Sequence, residues 1–220
     1  MTQHHLNQHI LYVLVVDFEA YRVDDRSWMA FAAAICAYPK GFIMESITRI
    51  LKIPIEQYDE PRKQFWTGQA KESHEYLIAH GSDPSCAEQY ELELVKFVRD
   101  AHRKYPTLQI ISDNPSFDIC LLDNILLKHK QPASCYRANG TWTHTICTYS
   151  FQVALQDAYH TKNLHMVHRR FYGYNRLVLR QVDNISADES IAHTPYHDIM
   201  RVASNYFIAL DLSRRSRFLT

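Results

Sequence analysis

Hydrophobic positions along the chain fall into runs and stripes whose spacing changes from region to region. Ile10 to Val16 is an unbroken apolar run of seven residues that leads into Asp17-Phe18-Glu19. A Val-rich run of that length predicts a strand over about 9–18, buried on both faces. Residues 29–38 (MAFAAAICAY) and 42–51 (FIMESITRIL) predict two more strands, joined across Pro39-Lys40-Gly41 as an antiparallel pair beside the first. In the third of these, Ile43 and Ile47 partly alternate with polar residues, as a strand with one wetter face would. From Pro61 to His80 the spacing becomes helical, with Phe65, Trp66, Gln69, Tyr76 and Leu77 roughly on one face, and Gly81-Ser82-Asp83-Pro84 breaks it. A second helix is predicted from about Ser85 to Lys104, with Tyr90, Leu94, Phe97 and Val98 on a stripe at 3.6 spacing. Leu108 to Ser112 is a short strand, and Asp113-Asn114-Pro115-Ser116 turns the chain into a helix that buries Phe117, Leu121, Leu122, Ile125 and Leu126. Residues 131–147 read as loop, 148–159 as a helix with Phe151, Ala154 and Leu155 inward, and 160–190 show no single period. A last helix opens with Thr194 as N-cap and Pro195 at its first position. It turns Ile199, Val202, Tyr206 and Leu210 inward and ends before Arg214-Arg215-Ser216-Arg217.

Three strands, then helices, a strand, a helix, mixed structure and a final helix predict an α/β fold. Its sheet would be mixed, with the first strand at the centre. The expected organisation is a flexible polar arm at 1–8, one domain over 9–212 and a basic tail at 213–220. No internal repeat or dividing linker is present.

Composition narrows the classes. Lys plus Arg (24) balance Asp plus Glu (24), so there is no global field to draw in nucleic acid or anionic lipid. A polyanionic substrate would have to be met by local basic patches and bound metal. The five cysteines (36, 86, 120, 135, 147) contain no C-x-x-C pair, which argues against a disulfide framework or a cysteine-rich zinc site. Cys36 and Cys120 lie in apolar runs and read as core. The N-terminus lacks the pattern of a secretory signal. The longest apolar run, Ala30 to Tyr38, falls short of the ~18 residues of a membrane span. The expectation is an intracellular, cytoplasmic protein that is not secreted and does not engage membrane.

Candidate chemistry lies in the acids. Asp17 and Glu19 alternate with Phe18, so the two carboxylates share one side of the strand. Paired acids at the end of a buried strand repel and are costly to desolvate, and a hard divalent cation is the usual remedy. Taken alone, solvated acids at a strand end are the simpler account. Asp118 falls on the first turn of the helix after the fourth strand. Asp198 falls on the first turn of the last helix, where helix N-termini favour negative charge.

Three ordered motifs then stand out. They are D-x-E at Asp17-Phe18-Glu19, N-x-x-[FY]-D at Asn114 to Asp118, and H-x-x-x-x-D at His193 to Asp198. With these, the chain resembles the DEDD exonuclease superfamily in its histidine (DEDDh) subgroup, over roughly residues 9–211. The tyrosine subgroup would need Tyr where Thr194 stands. The resemblance implies a ribonuclease H-like fold: a mixed sheet of three antiparallel-connected strands and further parallel strands, flanked by helices. It also implies 3′-to-5′ release of nucleoside 5′-monophosphates from single-stranded RNA or DNA ends. Two divalent ions, Mg²⁺ or Mn²⁺, would act about 3.5–4 Å apart. Asp17 would bridge both ions, Glu19 and Asp198 would help hold the one that activates water, and Asp118 the other. His193 would accept the proton from that water. Phe18, Ala20, Asn114 and Trp66 are the implied substrate-contact positions. Many family members have Thr or Ser where this chain has Ala20, which puts end recognition in question. The state of assembly, including a homodimer, stays open.

Competing readings are specific. His197 is a rival base, read as a solvent-facing helix residue. Asp113 is a rival to Asp118, read as a turn or cap residue. Asp123 reads as surface. Trp66 with Gln69 forms an aromatic-amide pair of the kind seen in some small exoribonucleases, and Trp66 reads equally as core. His165 and His168 lack a third ligand. His168-Arg169-Arg170, Arg176 and Arg180, like the tail Arg214 to Arg217, read as a phosphate path or as solvated charge. The functional alternatives are a scaffold on the same fold with little catalysis, and a hydrolase of short oligonucleotides or small nucleotides.

Overall fold

The computed structural model describes residues 10–24, 27–38, 42–135, 145–158 and 193–216. A five-stranded sheet with the order β3-β2-β1-β4-β5 forms its middle layer. The strands are β1 (Leu11–Ala20), β2 (Trp28–Tyr38), β3 (Phe42–Ile50), β4 (Gln109–Ser112) and β5 (Thr145–Cys147). β1 pairs antiparallel with β2 and parallel with β4, β2 pairs antiparallel with β3, and β4 pairs parallel with β5. The sheet is therefore mixed with β1 at its centre, as the apolar run predicts. The short edge strand β5 lies in a region that reads as loop. Three residues without alternation are too few to register as a strand.

The two faces of β1 go to two cores. Leu14, Val16 and Phe18 join Phe31 and Ile35 of β2 against α3 (Ala87–Lys104) and α4 (Pro115–Lys128). Val13 and Val15 join Ala32, Ala34 and Cys36 of β2 against α6 (Pro195–Ser216), whose Ile199, Val202, Ala203, Tyr206 and Phe207 cover that face. The alanines of β2 leave room for a close helix there. Because side chains alternate, Asp17 and Glu19 continue the α6 face while Phe18 stays in the other core. The last helix is thereby brought over the end of β1. It continues through Ser216, so Arg214 to Ser216, assigned to a tail by composition, are helical.

Between β3 and α3 the single helix expected over 61–80 is two, α1 (Glu60–Thr67) and α2 (Lys71–His80). Gly68 marks the break. Its amide donates to the carbonyls of Gln64 and Phe65, and a Cβ there would lie 2.8 Å from the Gln64 oxygen. The turn leaves Gln69 exposed, and Tyr76, set by spacing on one face with Trp66 and Leu77, is exposed beside the His80 ring. On α5 (Thr148–Ala158), Ala154 is exposed rather than inward. The 160–190 segment, with His165, His168 and its arginines, lies outside the described residues. Among the described residues, no helix is long and apolar enough to cross a membrane.

Candidate active site

Three chain segments meet at the C-terminal end of β1. The strand itself delivers Asp17 and Glu19, and its pairing with β2 is offset by an irregularity at Glu19/Ala20, a feature that re-aims the end of a strand. α4 begins at Pro115, and its first turn carries Asp118, whose amide donates to the Asn114 carbonyl at 3.0 Å. α6 begins at Pro195 behind the buried Thr194, whose carbonyl accepts the Asp198 amide at 3.0 Å. Both helices point their N-termini at the strand end, where partial positive charge meets the carboxylates.

All four acids are buried: Asp17 and Glu19 are 8% exposed, Asp118 2% and Asp198 3%. Asp118 is held rigidly. Its Oδ1 accepts the Phe18 amide at 3.2 Å and its Oδ2 accepts the Ser112 hydroxyl. Ser112 Oγ in turn accepts the Asn114 amide at 3.0 Å, so one serine fixes both the acid and the start of its helix. Asp198 Oδ1 lies 3.0 Å from the Arg201 guanidinium one turn on. Asp17 Oδ2 is buried without a hydrogen-bond partner.

The acids sort into two groups. In one, an atom each from Glu19, His193 and Asp198 lie within 4.8 Å of one another; in the other, Asp17, Asp113 and Asp118 do the same. His193 precedes α6 in a left-handed backbone conformation, φ 64, which is uncommon away from glycine and favoured mostly by Asn, Asp and His. Its ring meets Phe65 of α1 edge-on at 5.2 Å.

Burial dominates the electrostatics. It holds Asp17 well above the ordinary carboxylate range, and repulsion from Glu19, Asp118, Asp198 and Asp113 adds to it. Glu19 is raised likewise by burial and then by Asp198, with partial relief from Arg62. Asp118 is pushed up to about 7 by burial, against the Ser112 hydrogen bond. Asp198 is raised by burial, against Arg201 and the two histidines. Such a group of acids accepts either protons or cations.

The substrate-contact positions divide. Asn114 is exposed at the mouth of the site. Phe18, Ala20 and Trp66 are core: Phe18 packs on Phe31, and the Trp66 indole, wholly buried, donates to the Ala20 carbonyl at 3.1 Å. Strand alternation turns Phe18 away from the side that carries Asp17 and Glu19, and Trp66, on α1, packs behind the end of the strand. His197, read as solvent-facing, is buried, since α6 lies flat against the sheet. Asp113 does not cap α4, where Asn114 holds the N-cap position without a side-chain cap; it turns toward Asp17 and Asp118. Asp123 accepts the Ser134 amide at 2.6 Å. One group that spacing did not flag is Arg62 of α1. Its guanidinium lies over the rings of Phe65 and Phe117, at 5.8 and 5.6 Å, and its field reaches Glu19. The signal was a lone Arg four residues before Trp66, too common a pattern to read.

Comparison of the sequence with protein-family models and with curated proteins gives no match. Among solved structures, E. coli exonuclease I in complex with a dT13 oligonucleotide is similar at TM-score 0.54 and 13% identity, over 95% of this chain and 42% of that one. Its complex with a dA16 oligonucleotide gives TM-score 0.53 and 14% identity, over 91% and 41%. A further exonuclease I structure gives 0.52 and 15%, over 93% and 41%. The chain thus spans about two fifths of the length of these proteins. The likeness is one of fold, a mixed sheet flanked by helices.

Proposed function

We propose that this chain is a metal-dependent 3′-to-5′ exonuclease that removes nucleoside 5′-monophosphates from single-stranded nucleic acid. The observation that carries the proposal is the convergence of Asp17, Glu19, Asp118 and Asp198 from three distant segments into one buried site. The oligonucleotide complexes of exonuclease I, a protein of like fold, support a single-stranded substrate.

The donor set fits divalent metal. Carboxylate oxygens suit Mg²⁺ or Mn²⁺. Asp17 Oδ2 is a buried acceptor with no donor, and a cation would offset the burial and mutual repulsion that raise all four acids. Asp17 would face both ions, Asp118 one of them, and Glu19 with Asp198 the other. When bound, such ions polarise the phosphoryl oxygens and favour ionisation of water.

The remaining work belongs to the chain. His193, beside Glu19 and Asp198 at the less buried edge of the site, would take the proton of the attacking water. Phe65 steadies its ring. Arg62, braced by Phe65 and Phe117, offers a guanidinium to a substrate phosphate next to Glu19. Ser112 and the Phe18 amide keep Asp118 from moving as charge develops.

The test is a time course on 5′-labelled single-stranded RNA and DNA of matched sequence, in Mg²⁺, Mn²⁺ or EDTA, beside Asp17→Ala. A metal-dependent ladder shortening from the 3′ end, absent in the variant, is expected. The faster ladder identifies the preferred sugar. Binding without degradation of either polymer would overturn the proposal in favour of a scaffold or a hydrolase of smaller nucleotides.

A further inference from the structure

Among the described residues, five carboxylates face the site, one more than the four acids of the motifs. The fifth is Asp113, in the turn between β4 and α4. It takes no part in starting the helix: the Asn114 amide is satisfied by Ser112 Oγ, and no side chain caps α4. It lies where one of its oxygens, one of Asp17 and one of Asp118 are mutually within 4.8 Å. Three carboxylates so close repel one another, and positive charge between them relieves that repulsion. Asp118 already accepts from Phe18 and Ser112. Asp17, buried and with Oδ2 unpartnered, has no donor to turn to.

Among the described residues, Arg201 pairs with these acids, approaching Asp113 Oδ2 at 3.5 Å and Asp198 Oδ1 at 3.0 Å. Its side chain is 51% exposed, so it reaches Asp113 and Asp198 from the solvent side. An arginine in that position joins a carboxylate of each group, Asp113 from the Asp17 side and Asp198 from the Glu19 side.

We propose that Asp113 is an additional ligand for a divalent cation on the Asp17 and Asp118 side, and that Arg201 is its resting counter-ion, exchanged for the cation on binding. The inference rests on the metal-dependent reading above but concerns a residue outside its four acids. Its physical basis is the pairing of an orphaned buried oxygen with a third carboxylate that takes no part in starting α4.

Mn²⁺ binding by the full chain, followed by the loss of the free-ion electron paramagnetic resonance signal, tests this without substrate or turnover. Asp113→Asn is expected to weaken binding by about 10-fold or more. Asp113→Glu should recover part of that loss. Arg201→Gln, with the competing cation gone, should bind at least as tightly as the parent chain. Thermal melts in EDTA confirm that each variant is folded. Parental affinity in Asp113→Asn, with weakened binding in Asp17→Asn, would overturn this inference and leave the exonuclease reading standing. Absence of Mn²⁺ binding by the parent chain would overturn both. Weaker binding in Arg201→Gln would overturn the exchange.

Discussion

The Phe18 amide donates to Asp118 Oδ1 across 3.2 Å, joining residues 100 positions apart in the chain. This bond ties the end of β1 to the first turn of α4 and fixes the distance between acids that each element carries. Asp118→Asn keeps an acceptor for the amide, whereas Asp118→Ala leaves a buried N–H unsatisfied. Equilibrium urea unfolding of the metal-free protein should therefore find the Ala variant less stable than the Asn variant by about 1–3 kcal/mol. Equal stabilities would mean that the bond contributes nothing.

Stability of the metal-free protein should fall as pH rises. Burial raises Asp17, Glu19, Asp118 and Asp198, with Asp118 at about 7. Between the unfolded carboxylate range near 4 and that value, the native state holds more protons than the unfolded one. The stability is thus present below about pH 4 and lost as pH passes through about 7. His74, whose burial lowers its pKa from the ordinary 6.5, acts in the opposite sense on the acid side of this window. Melts in EDTA from about pH 5 to 8 should show the decline. Asp118→Asn should flatten it, and Mg²⁺ should restore stability most at the alkaline end. A rise with pH in the parent chain would contradict the assignment.

His193 permits a clean substitution, because asparagine tolerates the left-handed backbone it adopts. His193→Asn should slow hydrolysis by roughly 10²–10⁴, with Mn²⁺ affinity near that of the parent chain. A fall no larger than twofold would transfer the role of base elsewhere, with His197 the first to examine. A large loss of metal affinity would make His193 a ligand.

Trp66 should act at a distance. Trp66→Phe keeps most of the ring but removes the donor to the Ala20 carbonyl. The expected cost is about 1–3 kcal/mol in chemical unfolding. Since Ala20 follows Glu19, kcat should fall while substrate affinity changes little. A selective rise in KM would instead indicate direct contact with substrate.

The central strand, its two neighbours, the helices bearing Asp118 and Asp198, and the order of three motifs were all legible in the chain. Each is encoded locally, by an apolar run, a 3.6 period or a proline at a helix start. Alternation alone placed Asp17 and Glu19 together with Phe18 opposed. What local pattern does not hold is the meeting of segments. Nothing near Asp113 distinguishes an acid of a turn from one facing Asp17, and nothing near His197 marks which side of α6 lies against the sheet. The break at Gly68 depends on a carbonyl approaching too closely for a side chain, which a broadly helical spacing conceals. Trp66 reads from the sequence as half of an aromatic-amide pair with Gln69 or as core, and only the fold shows that it is buried with its indole on the Ala20 carbonyl. The sequence by itself thus determined which elements exist and which acids end them. Only the tertiary structure decided which of those acids share a site, because burial, repulsion and counter-ions act between neighbours in space, whatever their separation along the chain.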